Sequence, residues 1–361
     1  MSITIDQIRS VLRGVNDPET GLALGASVKD RDIRIENGKV HVLIEQGYPG
    51  REAQQRLAGL ARDALAAAGV AEAEIAVGVR VQAHAVQRGL KPLPNVRNII
   101  AVGSGKGGVG KSTTSVNLAL ALAAEGASVG VLDADIYGPS IPAMLGIDGR
   151  PESLDNKTME PLVGHGVQAN SIGFLIDPES PAIWRGPMVT QALEQLLRQT
   201  NWRDLDYLII DMPPGTGDVA LTLSQKVPVV GAVIVTTPQD IALLDARKGL
   251  RMFQKVEVPI LGVVENMAIH VCTNCGHAEH IFGEGGGKRM AEQYEAPWLG
   301  SLPLTLAIRE QTDAGAPTVV SDPGSEAAGL YRAIARKLAA QVATLPRDMA
   351  GRMPSVVVQS S

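Results

Sequence analysis

Aromatic residues, cysteines and excess positive charge are all scarce in this chain of 361 residues. Aromatic side chains make up 3% of the sequence, which argues against the stacking platforms that bind single-stranded nucleic acid. The formal net charge is −5, so we expect neither nucleic acid nor an anionic membrane surface as a partner. Two cysteines are too few for a disulfide scaffold.

Long apolar segments are missing as well. No apolar run approaches the length of a membrane span, and the first residues lack the basic and then apolar pattern of a secretory leader. We therefore expect a cytoplasmic protein with no membrane partner. Hydrophobic residues at 45% and charged residues at 20% are ordinary for a globular protein, and the length allows more than one domain.

The strongest motif is a glycine-rich loop that fits G-x-x-x-x-G-K-[ST], the loop that holds nucleotide phosphates. The apolar run 98–102 before it predicts a strand, and residues 112–124 after it predict a helix. We expect Lys111 to reach the β- and γ-phosphates and the Ser112 hydroxyl to bind Mg²⁺. The loop residues predicted to bind nucleotide are Gly105, Lys106, Gly107, Gly108, Val109, Gly110, Lys111, Ser112 and Thr113.

The remaining pattern predicts two domains. Continuous apolar runs between long helical stretches are typical of parallel strands buried on both faces. They predict a doubly wound, mostly parallel α/β sheet, hence a P-loop NTPase domain, preceded by a small α+β domain with a hairpin at Asn37-Gly38. The predicted bounds are residues 1–86 for the small domain, 87–96 for a linker, 97–344 for the ATPase domain and 345–361 for a loose tail.

Polar side chains follow the predicted strands, where ligands gather in such sheets. Asp211 is expected to hold Mg²⁺, with Asp133 helping the Mg²⁺ shell and Asp135 orienting the attacking water. Asp218 ends a glycine- and proline-rich loop that is well placed to sense the γ-phosphate. Aspartates at strand ends can also simply cap turns, so these roles remain hypotheses.

Lys106 adds a charge that the phosphate loop of its own chain does not require. One interpretation is a lysine that faces solvent at a free position of the motif. The other is that it crosses to a nucleotide in a second subunit, as an arginine finger does.

Cys272 and Cys275 are spaced C-x-x-C in a loop that also holds three histidines. Zinc would need two of these histidines at awkward spacings, and a thioredoxin-like dithiol would need a helix start close to the beginning of the protein. A [4Fe–4S] cluster takes four thiolates, and a twofold dimer would supply two pairs. Chemistry alone leaves zinc and cluster open.

Together these segments resemble the Mrp/ApbC iron–sulfur cluster carriers, within the MinD/ParA-like ATPases with a deviant Walker A motif. The resemblance covers about residues 97–340, and residues 1–86 are similar to an iron–sulfur-assembly accessory domain. That domain commonly has a cysteine after its Pro-Gly turn, where this chain has Arg51, so metal ligation by this unit is not expected. The motifs that carry the resemblance are 106–113, 133–140, 184–188, 211–218 and 272–275.

The resemblance implies a homodimeric ATPase that uses ATP and Mg²⁺ and passes clusters to apoprotein clients, with scaffold or donor assembly proteins as further candidate partners. It implies a [4Fe–4S] cluster that bridges the dimer through Cys272 and Cys275, with Lys106 acting across the interface and Asn266 reading adenine. The alternative is a positioning switch of the MinD/ParA kind with a structural zinc. That alternative predicts a basic amphipathic terminal helix or a basic surface stripe.

Overall fold

The computed structural model describes residues 3–176, 186–272 and 274–348. The first elements form a small α+β unit in which two helices cover one face of a three-stranded sheet of order β1-β2-β3. Strands β1 and β2 are antiparallel, and β3 runs parallel to β2. The elements are α1 (Ile5–Arg13), β1 (Ile33–Glu36), β2 (Lys39–Gln46), α2 (Arg51–Ala67) and β3 (Ala73–Val79).

Local chemistry explains the ends of these elements. Thr4 and Gln7 form a capping box at the start of α1. Asn37 and Gly38 both have positive φ, at 51° and 82°, which is what a two-residue turn that matches the twist of the strands requires. The predicted hairpin is therefore confirmed.

The second unit is built on an eight-stranded sheet of order β13-β10-β9-β4-β8-β5-β7-β6, parallel except for the antiparallel edge strand β6. A separate two-stranded ribbon, β11-β12, carries the cysteines at its turn. The strands are β4 (Val96–Ser104), β5 (Val129–Asp133), β6 (Leu162–Gly164), β7 (Val167–Ser171), β8 (Leu205–Asp211), β9 (Gly231–Thr236), β10 (Ile260–Glu265), β11 (His270–Val271), β12 (Ala278–Glu279) and β13 (Trp298–Ser301).

Helices cover both faces of this sheet, so its central strands are buried on each side. One apolar cluster packs α3 and α11 on the sheet, and the other packs α5, α6, α7 and α8 on the opposite face. The predicted doubly wound α/β fold is confirmed. The helices are α3 (Lys111–Ala124), α4 (Ile141–Met144), α5 (Gly186–Gln199), α6 (Asp218–Lys226), α7 (Asp240–Lys255), α8 (Gly286–Gln293), α9 (Leu306–Asp313), α10 (Thr318–Ser321) and α11 (Glu326–Ala343).

The two units touch along α11 and the segment after it. Arg336 pairs with Glu125 at 2.8 Å and with Glu52 of the small unit at 3.3 Å. The first residues of the expected loose tail are not loose, because the backbones of residues 346–348 hydrogen-bond to residues 83–85. The rest of that tail, from residue 349, lies outside the described residues, and the domain bounds stay a prediction.

No helix within the described ranges is long and apolar enough to cross a membrane.

Candidate nucleotide site and cysteine hairpin

The phosphate loop follows β4. One side of this loop packs against α7, and its other side is open. A Cβ on Gly105 would lie 2.0 Å from the carbonyl carbon of Asp245 in α7, so only glycine fits there. Gly108 and Gly110 have φ of 79° and 78°, which glycine adopts without strain. A Cβ on Gly107 or Gly108 would meet nothing within 4 Å. The open side can therefore receive an anion on backbone N–H groups at the start of α3.

Lys111 and Asp211 form a buried ion pair at the mouth of this loop. The Lys111 Nζ lies 2.7 Å from Asp211 Oδ2, with side-chain exposures of 6% and 0%. Ser112 Oγ donates to the same oxygen at 2.6 Å, and Ser115 Oγ donates to Oδ1 at 2.7 Å. A buried carboxylate needs such partners. The serine hydroxyl and carboxylate that a nucleotide-bound Mg²⁺ would use are therefore already side by side.

The contact of Ser115 with Asp211 was not predicted from the sequence. Ser115 lies three residues after Ser112, on the same side of a helix, and that spacing was the available signal.

Asp133, at the end of β5, organises the loop that follows it. Its carboxylate accepts hydrogen bonds from the backbone N–H groups of Asp135, Ser140 and Ile141 at 3.0–3.2 Å, and from the Ser171 hydroxyl at 3.0 Å. Burial, with the nearby negative charge of Asp211, raises the pKa of Asp133 to about 7. Four donors already engage Asp133, and its role in the Mg²⁺ shell stays a prediction.

Asp135 faces the same charge cluster. Burial raises the pKa of this half-buried carboxyl group, whereas the positive charge of Lys111 opposes the shift and Asp211 adds to it. Asp135 therefore lies close enough to Lys111 and Asp211 for their charges to affect its pKa. Its role in orienting water stays a prediction.

The remaining predicted nucleotide residues differ in their surroundings. Lys106 is half-exposed and forms no ion pair within the described part of the chain. Asp218 is exposed as the first residue of α6. The loop before Asp218 is docked on the phosphate loop, since the Gly215 N–H donates to the Ser104 carbonyl at 3.0 Å.

Asn266 has a partner that the sequence did not predict. Its Nδ2 donates to the carbonyl of Val109 inside the phosphate loop at 2.9 Å, and its side chain is buried. The structure therefore shows Asn266 bracing the phosphate loop, and its role in reading adenine stays a prediction.

The cysteines lie at the turn of the β11-β12 ribbon, where the Cys272 N–H donates to the His277 carbonyl. Both thiols are free, with Cys272 partly exposed and Cys275 exposed. Hydrogen bonds to the Cys272 sulfur from the backbone N–H groups of Cys275 and Asn274, and then from the Cys275 thiol, lower the pKa of Cys272. A lower pKa favours the thiolate, which is the form of cysteine that binds metals.

Histidines do not complete a zinc site here. No group of three or more His, Cys, Asp and Glu side chains suited to a metal occurs among the described residues. His270 Nδ1 lies 3.0 Å from the Leu304 carbonyl, and His280 Nδ1 lies 2.6 Å from the Ala268 carbonyl. The described part of one chain thus offers two thiols and leaves the rest of a four-ligand set unfilled.

Some of the motifs noted in the sequence lie partly outside the described residues. Trp184, Arg185 and Thr273 lie outside the described residues, whereas Gly186 to Met188 begin α5.

The helix α11 tests the positioning-switch alternative, which predicts a basic amphipathic terminal helix. Its apolar residues, among them Tyr331, Ile334 and Leu338, are buried in the core of the sheet. The last described helix is therefore a packed structural helix, and it is not a basic amphipathic helix free to bind a surface.

A phosphate loop with a buried lysine–aspartate pair, on a doubly wound parallel sheet, defines a P-loop NTPase. Residues 95–339 match the family of NUBPL iron-transfer P-loop NTPases, and residues 5–77 match the family of iron–sulfur cluster assembly proteins. The chain belongs to the NUBPL iron-transfer P-loop NTPase family.

Curated relatives agree with this assignment. The iron–sulfur cluster carrier protein of Pseudomonas fragi is 61% identical over 269 residues, covering 74% of this chain and 94% of the relative. That of Synechocystis sp. is 46% identical over 354 residues, covering 94% of this chain and 98% of the relative.

Solved structures share the fold. A nucleotide-binding protein from Archaeoglobus fulgidus in complex with ADP has a TM-score of 0.55 and 37% identity, covering 61% of this chain and 87% of that one. The cell division ATPase MinD of Pyrococcus furiosus has a TM-score of 0.51 and 24% identity, covering 67% of this chain and 98% of that one. At that identity the MinD likeness concerns the fold alone.

Proposed function

We propose that this protein is an iron–sulfur cluster carrier that holds a [4Fe–4S] cluster between the Cys272 and Cys275 pairs of two subunits and transfers it to apoproteins. The observation that carries the proposal is the accessible thiol pair, which lacks further ligands within the described part of one chain. The printed names of the relatives, iron–sulfur cluster carrier proteins, support the same cargo.

The geometry of the cysteine turn suits a cargo that is bound and released. Hydrogen bonds from backbone N–H groups lower the pKa of Cys272, and the exposure of Cys275 leaves room for a second protein. A twofold axis that passes beside this turn would bring the thiol pairs of two chains together, so that four thiolates meet without any further residue.

The nucleotide site is proposed to control this dimer. The loop from Gly105 to Thr113 would hold the phosphates of ATP, and Ser112 with Asp211 would hold Mg²⁺, which neutralises phosphate charge when bound. Lys111 already lies beside both groups. Lys106, which has no ion-pair partner in the described chain, would reach the nucleotide of the second subunit.

Anaerobic reconstitution tests the cargo. The purified chain is loaded with iron and sulfide, and its metal content and absorption spectrum are compared with those of Cys272→Ser and Cys275→Ser. We expect both variants to lose loading. The matched control is His277→Ala, which removes an exposed histidine from the same turn. Normal loading in that control, with loss in the cysteine variants, supports a cluster, whereas stoichiometric zinc that depends on His277 would overturn the proposal.

A further inference from the structure

Two consecutive residues at the end of β10 connect the phosphate loop with both ends of the segment that carries the cysteines. Asn266 contacts the phosphate loop, through its bond of 2.9 Å to the Val109 carbonyl. The contact is tight, since a Cβ on Gly110 would lie 2.2 Å from Asn266 Nδ2. A shift of this loop of a few tenths of an ångström would therefore be transmitted to Asn266.

The chain from Asn266 to the cysteine ribbon is itself held in place. The Asn266 N–H donates to the Thr236 carbonyl at 2.7 Å, and the Ala268 N–H donates to the Leu302 carbonyl at 3.0 Å. Between them Met267 has φ of 57°, a left-handed conformation that a non-glycine residue adopts at a cost. The Ala268 carbonyl accepts from His280 Nδ1 on the far side of the ribbon. Entry to the cysteine segment is therefore fixed relative to the phosphate loop.

Glu265 fixes the exit. Its carboxylate is buried and accepts the N–H of Gly287, where the chain returns from the ribbon and starts α8. A negative charge is favourable at this helix N-terminus. The segment 267–286, which contains both cysteines, is therefore anchored at its two ends by the neighbouring residues Asn266 and Glu265.

We infer that Asn266 is a positioning residue through which occupation of the phosphate loop changes the accessibility of Cys272 and Cys275, with Glu265 holding the other end of the segment. The inference rests on the proposed function for the meaning of those thiols, and it adds the route by which nucleotide controls them. Asn266 acts through the loop backbone, by its bond to the Val109 carbonyl.

Thiol reactivity tests this without any cluster. The full-length apo protein, treated with chelator and reductant, is alkylated with iodoacetamide in the presence and absence of saturating Mg-ADP, and the rates at Cys272 and Cys275 are followed by mass spectrometry. In the wild type we expect nucleotide to change the rate by about fivefold or more, the usual scale of coupling between two sites. In Asn266→Ala we expect the ratio to fall to near one at a Mg-ADP concentration that calorimetry shows to saturate the variant.

The matched control is Asn170→Ala. Asn170 is also a buried asparagine at the end of a strand of this sheet, and its Nδ2 donates to Thr200 Oγ1 at 2.7 Å, far from the cysteine segment in the chain. We expect the wild-type ratio in this variant. If Asn266→Ala binds nucleotide too weakly to saturate, Met267→Gly replaces it, because it keeps Asn266 and loosens the connection, and its ratio should fall toward one.

A wild-type ratio of one, or a ratio unchanged in the Asn266 and Met267 variants, would overturn the inference. Neither result affects the cluster proposal, which depends on iron and sulfide content. Conversely, a chain that loads no cluster but shows nucleotide-dependent thiols would reject the proposed cargo and keep the coupling.

Discussion

The phosphate loop follows β4 and the cysteine turn follows β10, so both lie beyond the carboxyl ends of the parallel strands of one sheet. They differ in how complete each candidate site is within one chain. At the start of α3 the charges of Lys111 and Asp211 are buried and paired, and these two residues form a closed network with two serines. Around the turn, the two thiols are accessible and no third ligand joins them among the described residues. One region is a nearly complete candidate site within a single chain, and the other, under the proposed function, supplies half of the ligands of a shared site.

This difference shows how the molecule divides its work. Pre-organised charges cost no reorganisation when an anion arrives, which suits a site that must bind a highly charged nucleotide. An exposed, incomplete thiol pair suits a ligand that is shared and then given away. Substitutions in each region test this contrast, and those with the strongest expected consequences come first.

Removing Lys111 should affect the complete site most. Lys111→Ala takes away the charge that meets the phosphates and leaves Asp211 buried without its ion-pair partner, which costs about 3–5 kcal/mol of unfolding free energy. We expect no measurable phosphate release in an ATP turnover assay. Lys157→Ala, at an exposed lysine, serves as control, and turnover in Lys111→Ala equal to that of this control would reject the assigned site.

Removing Cys272 should affect the incomplete site as strongly in function, but hardly in stability. Cys272→Ser should abolish cluster loading while the midpoint of thermal unfolding stays unchanged, because the side chain is partly exposed and contributes little to the core. Iron analysis and calorimetry measure the two effects. A large drop in the unfolding midpoint would mean that the turn is structural.

Lys106 separates the single chain from the pair. We expect Lys106→Ala to bind nucleotide almost normally, since the side chain is half-exposed and holds no ion pair in the described chain. ATP hydrolysis should be lost, because the assembled dimer would lack the charge supplied across its interface. Unchanged hydrolysis would place Lys106 in solvent.

The two glycines at the start of the loop test its packed and open sides. Gly105→Ala should lower the unfolding free energy by about 1–3 kcal/mol, because its Cβ would overlap the backbone of α7. Gly107→Ala, whose Cβ would meet nothing within 4 Å, should change it little. Denaturant titration of the apo protein measures both, and equal effects would contradict the described packing.

The smallest effect concerns the junction between the units. Burial lowers the pKa of His84, whose Nδ1 lies 2.9 Å from Asn98 Oδ1. Because the folded state has the lower pKa, the unfolded chain protonates His84 more readily. The stability that neutral His84 contributes is therefore present above about pH 6.5 and is lost as the pH falls below that value. His84→Gln should flatten the acid side of the stability–pH curve. An unchanged slope would show that other groups set it.

Sequence patterns predicted what depends on neighbouring residues. The phosphate loop, the Asn37-Gly38 turn and the central strands are each determined by a few adjacent side chains, and the structure has all of them. The ribbon β11-β12 was not predicted, because strands of two residues are too short to show alternation.

Contacts between distant residues could not be predicted. The bond from Asn266 to Val109 joins positions 157 residues apart, and the bond from the Ser171 hydroxyl to Asp133 joins positions 38 residues apart. Nothing local distinguishes an asparagine that reads a base from one that braces a loop. Only the folded sheet, in which β9 alone separates β4 from β10, brings Asn266 to the phosphate loop.

The most direct test of the central claim is iron and sulfide content per dimer after anaerobic reconstitution, measured together with molar mass and absorption spectrum. We expect a dimer with about four iron and four sulfide ions, which are lost together when Cys272 or Cys275 is replaced. A monomer or dimer with one zinc per chain and no sulfide would contradict it.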